Sequence, residues 1–138
     1  MTVQIDVCYS GGLRCEMTHG PSGARVETDA PRDNAGKGEA FSPTDLLAAS
    51  LASCALTTMA IKAPGEGIDF DQAHATIEKV MSASSPRRVA CIGAELHLPV
   101  ALSVAQRQRL EAIARSCPVA LSISKDIQVD LQFVYDLE

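Results

Sequence analysis

Val3, Ile5, Val7 and Tyr9 alternate with polar neighbours, the period-two pattern of a half-buried strand over residues 3–9. Ser10-Gly11-Gly12 is a turn signal, and residues 13–18 read as the returning strand. Gly20-Pro21-Ser22-Gly23 marks a second turn before a third strand over residues 24–28, so the chain opens as a three-stranded meander. Residues 29–41, DAPRDNAGKGEAF, follow neither the strand nor the helix period and predict a loop of the length at which loops are often functional. The pattern then changes. From Leu46 to Ile61 nearly every position is apolar or small, which predicts a helix buried on all sides. Ser42 suits its N-cap, Pro43 its first position, and Asp45 an approximate capping box; the stop is expected before Pro64-Gly65.

The second half repeats the strand signal. A strand is expected over 72–80, a turn over 82–86, and a longer strand over 89–100 with Ile92, Ala94, Leu96, Leu98 and Val100 on one face. Ser103-Val104-Ala105-Gln106 is another capping-box signature. The helix it opens, over about 104–116, turns Val104, Leu110, Ile113 and Ala114 inward and Arg107, Gln108 and Glu111 outward, and Pro118 interrupts it. Residues 125–135 close the chain as an alternating strand. The order is βββ–α–ββ–α–β. Strands and helices look segregated, so the fold class is α+β, in a single domain over residues 1–138. One sheet covers one face of the apolar helix. A second copy across a two-fold axis would cover the other, which predicts a homodimer.

Composition narrows the chemistry. A net charge of −5 argues against a nucleic-acid partner. No basic segment precedes an apolar run at the N-terminus, and Ser and Thr interrupt the longest apolar stretch, so neither a signal peptide nor a membrane span is expected and the chain reads as cytoplasmic. Five cysteines, an odd number without a C-x-x-C, do not suggest a disulfide framework. His19, His74 and His97 are far apart in sequence and carry no metal-ligand spacing.

The cysteines carry what chemical signal there is. A buried cysteine is ordinarily a small hydrophobe, the reading kept for Cys8 and Cys91; Cys15 has no assigned role. Cys54 lies within the apolar helix and Cys117 where the second helix stops, directly before Pro118. Each is either core packing or one half of a working pair. Cys54 is too deep in its helix for the dipole to activate it, so a reactive Cys54 needs a cation from elsewhere; Arg14 and Arg32 are the candidates nearest upstream of its helix.

FSPTDLLAASLASC, the later SCPV and the order of elements together resemble the OsmC/Ohr family over essentially the whole chain. The resemblance implies an intertwined homodimer whose central helices are clasped by β-sheets, and a thiol peroxidase that reduces organic hydroperoxides and, less well, hydrogen peroxide. By matching motif positions it makes Cys54 the peroxidatic and Cys117 the resolving thiol, with a Cys54–Cys117 disulfide reduced by a dithiol such as a lipoyl protein and no cofactor held. The substrate would lie at the dimer interface by Ala49, Ser50 and Leu51. It assigns the activating cation to Arg14, with Arg32 as the fallback. Ten residues before Cys54 the sequence has Thr44 where active members carry a glutamate that orients the arginine, and a threonine forms no charged pair with it. That departure leaves a redox sensor or a binder of small apolar ligands as the alternative.

Overall fold

In the computed structural model, which describes residues 1–63 and 67–138, residues 1–47 form one unit and residues 48–138 another. The first unit is the expected meander: β1 (Ile5–Gly11), β2 (Arg14–His19) and β3 (Arg25–Asp29), antiparallel in that order. Gly11 and Gly12 make the first turn with φ of 83° and 61°, a region glycine enters without steric cost. Leu13 follows at φ 63°, and its N–H donates to the Tyr9 hydroxyl at 3.2 Å.

Register divides the sheet into two unlike faces. Val7 stands opposite Met17 and Met17 opposite Val26, so the alternating residues share an apolar face. The expectation that this face is half-buried is not met. Ile5, Val7, Tyr9 and Val26 are 56%, 60%, 66% and 44% exposed. The opposite face carries Asp6, Cys8, Glu16 and Glu27. Beyond β3 the loop takes a short 3₁₀ turn, Arg32–Asn34, and folds back on itself. The Gly36 N–H donates to the Pro31 carbonyl at 3.0 Å and the Gly38 N–H to the Ala30 carbonyl at 3.2 Å. A Cβ at Gly36 would fall 1.7 Å from the Ala30 oxygen, so only glycine fits there.

Helix α1 spans Pro43–Lys62. Its cap is reciprocal: the Asp45 N–H donates to Ser42 Oγ at 3.0 Å, and the Ser42 N–H donates to Asp45 Oδ2 at 2.9 Å. The expected stop at Pro64-Gly65 lies outside the described residues. Ala48, Leu51, Ala52, Ala55 and Met59 form a buried stripe. Ser53 and Thr57 are exposed on another face, and Ile61 is 66% exposed. The expectation of burial on all sides is thus corrected for a single copy. The helix is also long and apolar enough, by length and composition, to cross a bilayer, because its Ser and Thr interruptions do not offset the Leu, Ala, Met and Ile around them. Its buried stripe makes it a core element here.

The remaining elements are β4 (His74–Met81), β5 (Val89–Pro99), α2 (Val104–Arg115) and β6 (Gln128–Leu137). They form a sheet of order β4-β5-β6 in which β4 and β5 are antiparallel but β5 and β6 parallel. Helix α2 is therefore a crossover between parallel strands, a βαβ unit that the apparent segregation of elements concealed. The class remains α+β. Ile92, Leu96 and Leu98 from β5, Leu51 and Met59 from α1, and Leu110 from α2 are fully buried in one core. Truncating any of these leucines to alanine would cost about 2–5 kcal/mol, read as a fall in the denaturant midpoint. Val100 lies beyond the strand, 41% exposed, and Val104 is 70% exposed, both corrections to the expected inward faces. Arg107 and Glu111 hold Tyr135: the guanidinium stacks 4.1 Å from its ring centre, and the phenol donates to Glu111 at 2.6 Å. Burial and the Glu111 carboxylate push that phenol up, against the opposing charge of Arg107.

Candidate active site

The second unit brings two of the five cysteines together. Cys117 is fully buried in the core cluster, Cys54 packs against that cluster, and the two thiols are near enough for Cys54 to perturb Cys117. Cys54 is placed by the regular turn of α1, half-buried. One turn on, the Thr58 hydroxyl lies 3.9 Å from the Cys54 sulfur but donates to the Cys54 carbonyl at 2.7 Å. A hydroxyl has a single proton, and the shorter bond takes it. Thr58 therefore fixes the helix beside the sulfur without stabilising a thiolate.

Cys117 is placed by the end of α2. Its N–H bonds the Ala114 carbonyl at 3.3 Å, and the chain turns through Pro118, with Leu121 N–H on the Cys117 carbonyl at 3.0 Å. Burial pushes the Cys117 thiol up, and the neighbouring Cys54, by hydrogen bond and by charge, adds to the rise. The backbone N–H groups of Ala120 and Val119 pull the other way and lose. Cys117 is thereby favoured as the protonated thiol, able to supply a proton.

The candidate cation, Arg14, sits in the first unit within a ring of carboxylates. Its Nε is 2.5 Å from Glu27, and one terminal nitrogen is 3.4 Å from Glu39 and 3.7 Å from Asp29. Partial desolvation lowers the guanidinium pKa, but the Glu27 hydrogen bond and the charges of Glu27, Asp29 and Glu39 together raise it. Sequence reasoning finds the arginine but not the grouping of Glu27, Asp29 and Glu39 around it. The signal that could find Asp29 is the hairpin: turning over Gly20–Gly23 puts Arg14 opposite Asp29, as the register has it. The fallback Arg32 spends its Nε on the Lys37 carbonyl at 3.1 Å, inside its own loop. The Thr44 hydroxyl meets Ser42 Oγ at 3.2 Å, within the helix cap. Of the residues expected to line a substrate site, Leu51 is fully buried in the core, whereas Ala49 and Ser50 are half-buried.

Other clusters lie away from the thiols. His74 and His97 stack with ring centres 4.7 Å apart. His97 lies 2.8 Å from Asp136 at Nδ1 and 2.8 Å from Glu95 at Nε2. Its pKa is raised, first by the Asp136 hydrogen bond. Both ring nitrogens face acceptors, an arrangement that suits imidazolium rather than a metal ligand. No group of three or more His, Cys, Asp or Glu placed to hold a metal ion occurs among the described residues. A hollow of about 310 Å³ on the polar face of the β4-β5-β6 sheet is lined by Thr76, Glu78, Gly93, Glu95, Asp130 and Gln132, and no cysteine borders it.

Residues 36–132 match a family model described as OsmC-like protein. A solved chain from Psychrobacter arcticus, named for osmotic stress induction and a detoxification response, is 44% identical, with a TM-score of 0.90 over 96% of each chain. An organic hydroperoxide resistance protein OsmC from Legionella pneumophila shares the fold at 22% identity and a TM-score of 0.73 over 97% of each chain. Another from Elizabethkingia anophelis does so at 16% identity and a TM-score of 0.74, over 99% of this chain and 97% of that one. No curated protein matches the chain.

Proposed function

The chain belongs to the OsmC-like protein family, and from that premise we propose that it is a thiol-dependent peroxidase acting on organic hydroperoxides and, less well, hydrogen peroxide. The packing of Cys54 against the core cluster that holds Cys117, near enough to perturb its thiol, carries the reading. The Cys54 thiolate attacks the terminal oxygen of R–O–O–H. An S–O bond forms, the O–O bond breaks, and the departing alkoxide takes a proton and leaves as an alcohol. Sulfur is oxidised to sulfenic acid. Cys117 then attacks that sulfur, forms the disulfide, and its proton leaves with the hydroxyl as water. A dithiol, such as a dihydrolipoyl group, exchanges with the disulfide, becomes the oxidised partner and restores both thiols. The chemistry requires neither metal nor organic cofactor. Arg14 is assigned the cation that favours the Cys54 thiolate. The reading places the protein in the cytoplasm, where thiols are kept reduced.

Wild-type protein supplied with dithiothreitol is expected to consume cumene and tert-butyl hydroperoxide. One equivalent of peroxide without reductant is expected to lower the chain mass by about 2 Da and to link the Cys54 and Cys117 peptides. Protein that consumes neither peroxide and forms no such link defeats the proposal.

The functional unit is proposed to be a homodimer. The support is an exposed apolar face on β1–β3 and an exposed run of Ser53, Thr57 and Ile61 on α1, surfaces of the kind a second copy covers. Sedimentation at low micromolar concentration is expected to give twice the chain mass; a single-chain mass would count against it.

A further inference from the structure

Resting on the peroxidase reading of Cys54, we propose that Thr58 takes part in the reaction by accepting a hydrogen bond from the hydroxyl of the Cys54 sulfenic acid, which steers that acid towards disulfide closure and away from further oxidation. The two residues lie four apart on α1, hence one turn from each other on one face. Both are half-buried. A threonine hydroxyl has one proton and two lone pairs. The Thr58 proton goes to the Cys54 carbonyl at 2.7 Å, so Oγ1 offers its lone pairs to the sulfur 3.9 Å away.

A thiol is a weak donor, and at that separation it makes only a weak contact with the oxygen. Oxidation changes the donor. The sulfenic oxygen enters between the sulfur and Oγ1. An S–O single bond followed by an O–H···O bond of about 2.8 Å, bent at the shared oxygen as any hydroxyl is, spans the 3.9 Å without movement of the helix. This bond forms with the neutral acid alone. A sulfenate has no proton to give, and a lone pair facing its charge repels it, so Thr58 favours the protonated form. The two forms have opposite fates. In the acid the sulfur is an electrophile: Cys117 attacks it, the S–S bond forms, and the hydroxyl leaves as water with the Cys117 proton. In the sulfenate the sulfur is a nucleophile: it attacks the terminal oxygen of a second hydroperoxide. A second S–O bond then forms, the O–O bond breaks, and the alkoxide takes a proton and leaves as an alcohol. Cys54 is left as sulfinic acid, which a dithiol does not restore. Holding the acid protonated protects the thiol pair from that loss.

The test cycles wild type, Thr58→Val and Thr58→Ser with cumene hydroperoxide and dithiothreitol. Mass spectrometry counts the Cys54 peptides at the sulfinic level for each hydroperoxide consumed. Valine keeps the shape and branching of threonine, and the Cys54 carbonyl retains its α-helical N–H partner, so circular dichroism should match wild type. Thr58→Val is expected to reach sulfinic acid about fivefold more often per turnover, the effect of one hydrogen bond. Thr58→Ser keeps the hydroxyl and should partition as wild type does. An unchanged partition in Thr58→Val overturns the proposal. So does Thr58→Ser over-oxidising as much as Thr58→Val, which would mark the threonine as a packing group. Wild-type protein whose Cys54 stays unoxidised overturns the peroxidase reading and this role with it, whereas oxidation with one partition in all three chains overturns this role alone.

Discussion

Cys54→Ser is expected to consume no cumene or tert-butyl hydroperoxide above the rate of dithiothreitol alone. The loss should be complete rather than graded because the sulfur is the atom oxidised. A serine hydroxyl is neutral at pH 7 and is not oxidised by two electrons to a sulfenic equivalent, so neither the first bond nor the later disulfide can form. The substitution is mild for the fold. Cys54 is half-buried on α1, and the Thr58 bond to its carbonyl, at 2.7 Å, involves the backbone and not the sulfur. A stability change of about 1 kcal/mol is expected, too small to unfold a domain. Circular dichroism and the melting transition should therefore stay close to wild type while turnover vanishes. Wild-type rates in Cys54→Ser would remove this residue from the mechanism.

A reactive Cys54 needs a source of activation, and its surroundings narrow the choice. The residue is well beyond the first turn of α1, where the helix dipole has faded. The Thr58 proton is committed to a carbonyl. Burial pushes the Cys117 thiol up, and a thiol is neutral or anionic, so it supplies no positive charge. What remains for a thiolate is a positive charge from another element, the role proposed for Arg14. The threonine at position 44 does not leave Arg14 without acids, since Glu27, Asp29 and Glu39 face it from β3 and the loop.

Local rules make much of this fold legible in the sequence. Ser42 with Asp45 and Ser103 with Gln106 both form the reciprocal caps their spacing implies. The meander and the βββ–α–ββ–α–β order are present with ends displaced by a few residues. The failures share a cause, namely that periodicity reports which face is apolar but not what covers it. Ile5, Val7 and Tyr9 alternate correctly and are nevertheless exposed. Val104 is apolar, but at 3.6 residues per turn it lies about 120° around α2 from Leu110, off the buried stripe. The parallel pairing of β5 with β6 is not readable from element order, because order does not specify neighbours within a sheet. At the site, chemistry concentrated in one residue type is legible. Cys54 and Cys117 are separated by most of the second unit, and motif resemblance alone pairs them. Chemistry shared among common residue types is not legible. Glu27 and Asp29 look like ordinary strand-end acids until the hairpin register sets Asp29 against Arg14.

Cys117→Ser is the second substitution with a large expected effect, and its signature differs from that of Cys54→Ser. The first chemical step needs only Cys54, so peroxide should be consumed in a burst of about one equivalent per chain. With no thiol beside it, the sulfenic acid cannot close to a disulfide. It should persist long enough to be captured by dimedone, and further peroxide should drive it on to sulfinic acid. Steady-state turnover with a lipoyl dithiol should fall to background, because the exchange that such a dithiol performs requires a disulfide to attack. Cys117 is fully buried, so the replacement must also be tolerated by the core. The serine hydroxyl enters beside the Val119 and Ala120 backbone, whose N–H groups favour the Cys117 thiolate and offer a hydroxyl oxygen donors. That limits the cost to about 1–2 kcal/mol. Turnover in Cys117→Ser at the wild-type rate, with no dimedone adduct, would show that the reductant reaches the oxidised Cys54 directly. The buried thiol would then be core packing. An adduct together with a single-equivalent burst would show instead that the same buried position, kept protonated by its surroundings, completes the catalytic cycle.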